Sequence, residues 1–263
     1  MTELNSSKTK QHRKLKITIW SIIILVVLVI GGMWAYLSMN TLEPLEKAQA
    51  AMQSTEQVEV IDQKNWIEFQ PKQPQGVSVI FYQGAFVEEA SYAPLAQLLA
   101  EGGHPVYVMK MPANLSVAGG NSASKVIEAY PDETFVIGGH SLGGAMAARF
   151  AAGHADELAG MFLLGAYADE KGDVSDTSLS VISIIGEKDD VVNRENVKVG
   201  RDYLPQDTIY YNLPGGNHAQ YGDYGLQKGD GTADITMEEQ LTLTADSLLS
   251  WMDQIQSTKG SNL

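Results

Sequence analysis

Hydrophobic positions along this 263-residue chain follow two different patterns. From Ile17 to Leu37 no side chain is charged, and Ile22 to Ile30 is an unbroken apolar run. Beyond about residue 58 the apolar residues instead gather in short runs of strand length, separated by longer, often alanine-rich stretches of helix length. Strands are predicted at Val58–Ile61, Trp66–Phe69, Val77–Tyr82, Val106–Met109, Thr134–Ile137, Met161–Leu164, Val181–Ile185 and Thr208–Asn212. Helices are predicted at Tyr92–Ala100, Ser122–Tyr130, Ser141–Ala152, Arg194–Tyr203 and Glu238–Ile255. Such alternation implies an α/β fold, a mostly parallel sheet with helices on both faces. About 200 residues suffice for one such domain.

The first apolar stretch is long enough to span a bilayer, and its central run favours insertion by roughly 3 to 5 kcal/mol. Trp20 lies near one end and Trp34 with Tyr36 near the other, where the two membrane interfaces would fall. Lys8, Lys10, Arg13, Lys14 and Lys16 crowd the preceding flank, which should stay in the cytoplasm. A cleaved signal peptide is the alternative, but the apolar segment exceeds a typical signal core and no Ala-x-Ala site follows. The expected organisation is a basic tail at 1–16, a transmembrane signal anchor at 17–37, a spacer at 38–57, the α/β domain at 58–257 and a tail at 258–263. Everything after about Asn40 should then lie outside the cytoplasm. The spacer contains Glu43, Pro44, Glu46, Ala48, Ala50, Ala51 and Met52, a composition that predicts a short helix or stalk with little to bury.

A formal net charge of -14 leaves no broad basic surface for phosphates, so nucleic acid is not an expected partner. With no cysteine in the chain, disulfides, thiolate metal sites and cysteine nucleophiles are all excluded. Any nucleophile is an oxygen or an amine. No metal or cofactor is expected, because paired histidines at helical spacing are lacking and the aspartates of Tyr221-Gly222-Asp223 and Gly229-Asp230-Gly231 do not complete a calcium-loop pattern.

Gly139-His140-Ser141-Leu142-Gly143 follows a predicted strand and opens a predicted helix, the setting of a nucleophile elbow. A tight strand-to-helix turn brings neighbouring backbone close, so the positions two before and two after the serine must lack side chains. The helix N-terminus supplies unpaired amides and the positive end of a dipole, which makes Leu142 N–H a candidate oxyanion donor.

Together with Phe81-Tyr82-Gln83-Gly84-Ala85-Phe86-Val87, Lys110-Met111-Pro112 and Gly138-Gly139-His140-Ser141-Leu142-Gly143-Gly144, this elbow resembles the small, lidless α/β hydrolases related to dienelactone hydrolase, over roughly Val58 to Ile255. The resemblance implies an α/β-hydrolase fold and a Ser-acid-His order along the chain. It further implies that the loop after the early strand, commonly His-Gly, gives a second oxyanion amide. Gln83-Gly84-Ala85 occupies that place, so Ala85 N–H is the candidate donor, with Phe86 next.

Chain order excludes His12, His104 and His140 as the base, leaving His154, at the end of the helix that follows Ser141, and His218, in the loop Pro214-Gly215-Gly216-Asn217-His218 after the last strand. His218 is the predicted base, and His154 is expected to cap its helix. Gly186-Glu187-Lys188-Asp189 resembles the family's Gly-x-x-Asp turn and makes Asp189 the predicted acid, with Asp169 another possible position and Asp190 placed to cap the next helix. The implied function is a membrane-anchored serine hydrolase that cleaves an ester or thioester of a small-molecule acyl substrate through Ser141, His218 and Asp189. The alternative is a noncatalytic surface-binding or scaffold protein on the same fold. Between Leu164 and Val181 there is little room for a lid, so the site should be open.

Overall fold

The computed structural model describes residues 19–29, 31–32 and 35–260. The chain divides into two units, residues 1–41 and residues 42–263. In the first, residues 19–29, 31–32 and 35–40 are helical, and the side chains from Ile22 to Val29 are exposed. No helix among the described residues is long and apolar enough to cross a membrane. The basic tail and residues 17, 18, 30, 33 and 34 of the expected span lie outside the described residues.

The second unit is built on one eight-stranded sheet. Its elements run α1 (Glu46–Ala51), β1 (Val58–Asp62), β2 (Trp66–Pro71), β3 (Ser78–Tyr82), α2 (Ala93–Glu101), β4 (Val106–Met109), α3 (Ser124–Ala129), β5 (Phe135–His140), α4 (Leu142–Gly153), β6 (Leu158–Leu164), β7 (Ser180–Gly186), α5 (Arg194–Gly200), β8 (Ile209–Leu213) and α6 (Met237–Gly260). The strand order is β1-β2-β4-β3-β5-β6-β7-β8, with antiparallel pairing at β1/β2 and β2/β4 and parallel pairing elsewhere. β3 and β5 are buried along their whole length, as central parallel strands covered on both faces must be. Alternate residues of β3 feed two separate cores. Val79 and Phe81 pack with α2 and α6, where Leu241, Ala245, Leu248, Trp251 and Met252 form the inward stripe, while Ile80 and Tyr82 pack with α3 and α4.

Every strand predicted from the sequence is present, most with ends shifted by one to three residues. The expected helix Arg194–Tyr203 stops at Gly200 and tightens into a short helical turn at Arg201–Tyr203. The last helix continues to Gly260, through residues expected to form a tail. The expected spacer differs more. Leu42 forms a β-bridge with Val87, and its N–H donates to Phe86 O at 2.6 Å. Leu45 N–H donates to Asp223 O and Ala48 N–H to Asp223 Oδ2, each at 2.9 Å, and Ala48 is fully buried. The folded unit therefore begins at Leu42, because Asp223 receives the otherwise unpaired first-turn amides of α1.

Candidate active site

The turn from β5 into α4 holds Ser141 at φ 54°, ψ −125°, a conformation costly for a residue with a Cβ. Its N–H donates to Leu164 O at 2.9 Å, which ties the turn to the end of β6. A Cβ on Gly139 or Gly143 would overlap Tyr82 O at the end of β3, so both glycines are needed for the approach. Ser141 and Leu142 are half-buried and border a cleft of about 320 Å³. Ala145 and Met146 continue this face of α4 along the cleft, and Val191, Val192 and His218 line it from other elements. A hollow of about 430 Å³ between Gln57 and Gly103 holds no serine or histidine.

His218 is buried in the loop after β8, and its Nδ1 lies 2.8 Å from Asp189 Oδ2. Asp189 is buried too, and its Oδ1 accepts from Val191 N–H at 3.0 Å and Val192 N–H at 2.8 Å. Both carboxylate oxygens are thereby committed. His218 Nε2 has no hydrogen-bond partner among the described residues, and its ring borders the same cleft as Ser141. Gly165, at φ 53°, follows β6, and a side chain there would press on both His218 and Asp189.

The alternative acids and the alternative base, Asp169, Asp190 and His154, do not pair with His218 Nδ1. Asp169 pairs with Arg149 across the cleft, and that hydrogen bond holds its carboxyl below the usual range. Asp190 is exposed and does not cap α5. Asn193 does so, accepting from Glu195 N–H and Asn196 N–H at 3.0 Å each. His154 ends α4, with Nδ1 2.9 Å from Phe150 O and its ring stacked on Phe150. No group of three or more His, Asp or Glu side chains among the described residues is placed to hold a metal ion.

Leu142 is the first residue of α4, so its amide has no partner within the helix. In the loop after β3, Gly84 N–H donates to Tyr92 Oη at 2.9 Å and Phe86 N–H to Asn114 O at 2.8 Å. Ala85 N–H, between them, meets no protein acceptor among the described residues. Phe86, the next candidate in sequence, has its amide committed.

Several residues around this site carried no signal in the sequence. Chain order rules out His140 as the base, yet its buried ring lies 4.5 Å from that of His218, centroid to centroid. Burial, and then the neighbouring His218, hold the His140 imidazole well below the usual histidine range. Asp230 accepts from His218 N–H at 3.1 Å and Ala219 N–H at 2.8 Å. Gln240, on α6, exchanges two hydrogen bonds with the Asn217 backbone, at 2.9 and 2.8 Å. Together they fix the backbone that carries His218.

The sequence pattern that defines the α/β-hydrolase family matches residues 78–242. The chain belongs to that family. No curated protein matches it. Among solved structures, the monoacylglycerol lipase of Paleococcus ferrophilus is 14% identical, with a TM-score of 0.58 over 73% of this chain and 99% of its own. Dienelactone hydrolase from Anabaena variabilis is 15% identical, with a TM-score of 0.55 over 75% of this chain and 98% of its own. A soluble variant of monoglyceride lipase from Saccharomyces cerevisiae is 12% identical, with a TM-score of 0.55 over 78% of this chain and 96% of its own. At these identities the likeness is one of fold.

Proposed function

We propose that the protein is a serine hydrolase that cleaves a carboxylic ester or thioester. The observation that carries this reading is the Asp189–His218 pair at 2.8 Å, whose unpartnered Nε2 belongs to a ring bordering the cleft that Ser141 lines. Asp189 holds the imidazole with its proton on Nδ1, so Nε2 is a bare acceptor able to take the Ser141 proton. Ser141 Oγ attacks the acyl carbon, and the oxygen that becomes negative is received by Leu142 N–H and Ala85 N–H. His218 then gives the proton to the leaving oxygen or sulfur. Water, deprotonated by the same imidazole, releases the acid and restores Ser141.

A cleft of about 320 Å³ with Leu142, Ala145, Met146 and Val192 on its walls suits a small acyl substrate more than an extended peptide. The fold relatives named as monoacylglycerol and monoglyceride lipases agree with an ester. We place the enzyme at a membrane, held by residues 17–37 with its basic N-terminal flank in the cytoplasm, on the strength of the sequence pattern. The test is reaction of the full chain with a fluorophosphonate probe. Labelling of the wild type that Ser141→Ala abolishes supports the reading, and labelling that survives the substitution refutes it.

A further inference from the structure

The two proposed oxyanion donors sit on different segments, Leu142 at the start of α4 and Ala85 in the loop after β3, and one buried side chain joins those segments. Gly84, the residue before Ala85, donates its N–H to Tyr92 Oη at 2.9 Å. On its other side Tyr92 Oη lies 2.9 Å from Nδ1 of His140, which directly precedes the nucleophile and Leu142. A phenolic oxygen that accepts from Gly84 has its own proton left to give, and His140, kept neutral by burial, accepts it at Nδ1. The Tyr92 ring is itself wedged in place, buried and 4.8 Å from the Phe81 ring on β3.

The far side of the same loop is tied by Gln83, which is fully buried. Its Nε2 donates to Val87 O at 2.7 Å and Asn114 Oδ1 at 3.1 Å, and its Oε1 accepts from Met111 N–H at 3.2 Å. Ser116 Oγ donates to its backbone carbonyl. Phe86, Ala113 and Asn114 all have positive φ, at 60°, 56° and 54°. Such conformations persist only where the surroundings impose them, and Gln83 bridges the two segments that contain all three.

We propose that Tyr92 and Gln83 are positioning residues that fix the distance between the Leu142 and Ala85 amides, the Tyr92 hydroxyl by spanning from the Ala85 loop to the end of β5 and the Gln83 amide by holding the loop of Ala85 from behind. The inference rests on the acyl-transfer reading given above. Neither side chain needs to touch substrate. A displaced amide loses little in the ground state and much in the transition state, since it is aimed at charge that develops only on attack.

The test uses the full chain in detergent, wild type and Tyr92→Phe, with a p-nitrophenyl ester and with a phenylboronic acid that forms a tetrahedral adduct on the serine. In Tyr92→Phe, kcat should fall about 10- to 100-fold, with boronate affinity falling by a similar factor and KM staying within about two-fold. Gln83→Glu, equal in size but with an acceptor facing Val87 O and Asn114 Oδ1, should repeat that pattern. It serves alone if Tyr92→Phe does not fold. Unchanged kcat and boronate affinity in the folded variants, or a rise in KM alone, overturn the inference. A wild type that takes no fluorophosphonate overturns instead the reading on which it rests.

Discussion

Asp189→Asn is the sharpest probe of the proposed chemistry, because the structure commits each oxygen of that carboxylate separately. Oδ1 receives Val191 N–H and Val192 N–H, and Oδ2 faces His218 Nδ1 at 2.8 Å. In the asparagine variant the amide oxygen keeps the two backbone donors, which leaves the NH₂ group pointing at His218. A donor cannot face a donor, so the imidazole moves its proton to Nε2 and can no longer accept from Ser141. The carboxylate that would stabilise the imidazolium is lost as well. Turnover should drop by up to about 10⁴-fold, equivalent to roughly 5.5 kcal/mol of transition-state stabilisation. The fold should lose far less, about 1 kcal/mol, since the buried backbone amides remain satisfied. Asp190→Asn is the matched control, removing an exposed carboxylate one residue away at a cost below about two-fold in turnover. Steady-state ester hydrolysis and thermal melts on both variants decide the matter. Asp189 is not the acid if Asp190→Asn is the crippled variant, or if Asp189→Asn stays within about ten-fold of wild type. If neither matters, Asp169 becomes the acid to test.

Ser141→Ala should abolish fluorophosphonate labelling and cut turnover by about 10⁴-fold or more without unfolding the protein. Ser141→Gly should be equally inactive yet melt higher, with roughly 1 kcal/mol of strain relieved, because a Cβ makes the 54° φ at this position costly. Stability should fall with acid before the carboxylates titrate. Burial lowers the His104 and His140 pKa values in the fold, so below the ordinary value of about 6.5 the unfolded chain takes up protons that the native one refuses. Melting temperature should therefore drop between about pH 7 and pH 5.5, and His104→Gln should flatten that slope. A flat profile in the wild type contradicts the burial argument. For the membrane placement, protease added outside intact cells should remove the C-terminal domain, and protection until permeabilisation contradicts it.

Much of the fold was legible because the inner parallel strands β3, β5, β6 and β7 are largely buried on both faces, so their apolar runs stand out against the alanine-rich α4 and the charged surface helices. The elbow was legible for a related reason: only glycine tolerates the backbone crowding at 139 and 143, and the serine between them follows a strand. The pairing of Asp189 with His218 was legible in part, Asp189 from a turn that resembles the family's Gly-x-x-Asp and His218 from chain order and its loop after the last strand. Contacts between distant segments left no such trace. Nothing about Asp223 in the sequence marks it as the acceptor for Leu45 and Ala48, 175 positions earlier in the latter case, so a short alanine-rich helix that is seated in the domain reads as a free spacer. Tyr92 looks like the first residue of an ordinary amphipathic helix, and its hydroxyl acquires a role only when β3 and β5 lie side by side. Gln83 departs from the usual histidine, and the departure could not say which partners a longer amide would reach.

The bridge between Leu42 and Val87 gives the route of the chain a mechanical meaning. The polypeptide enters the folded unit beside the Ala85 loop, and Leu42 engages that loop twice, donating to Phe86 O at 2.6 Å and accepting from Glu88 N–H at 3.0 Å. Force applied along the N-terminal segment would thus reach the backbone of Phe86, the residue next to a proposed oxyanion donor. A version trimmed at residue 58, where the apolar rhythm begins, would keep every strand and all three of Ser141, Asp189 and His218. It would nonetheless release the outer edge of the loop that carries Ala85 and uncover the part of the core on which Ala48 is seated.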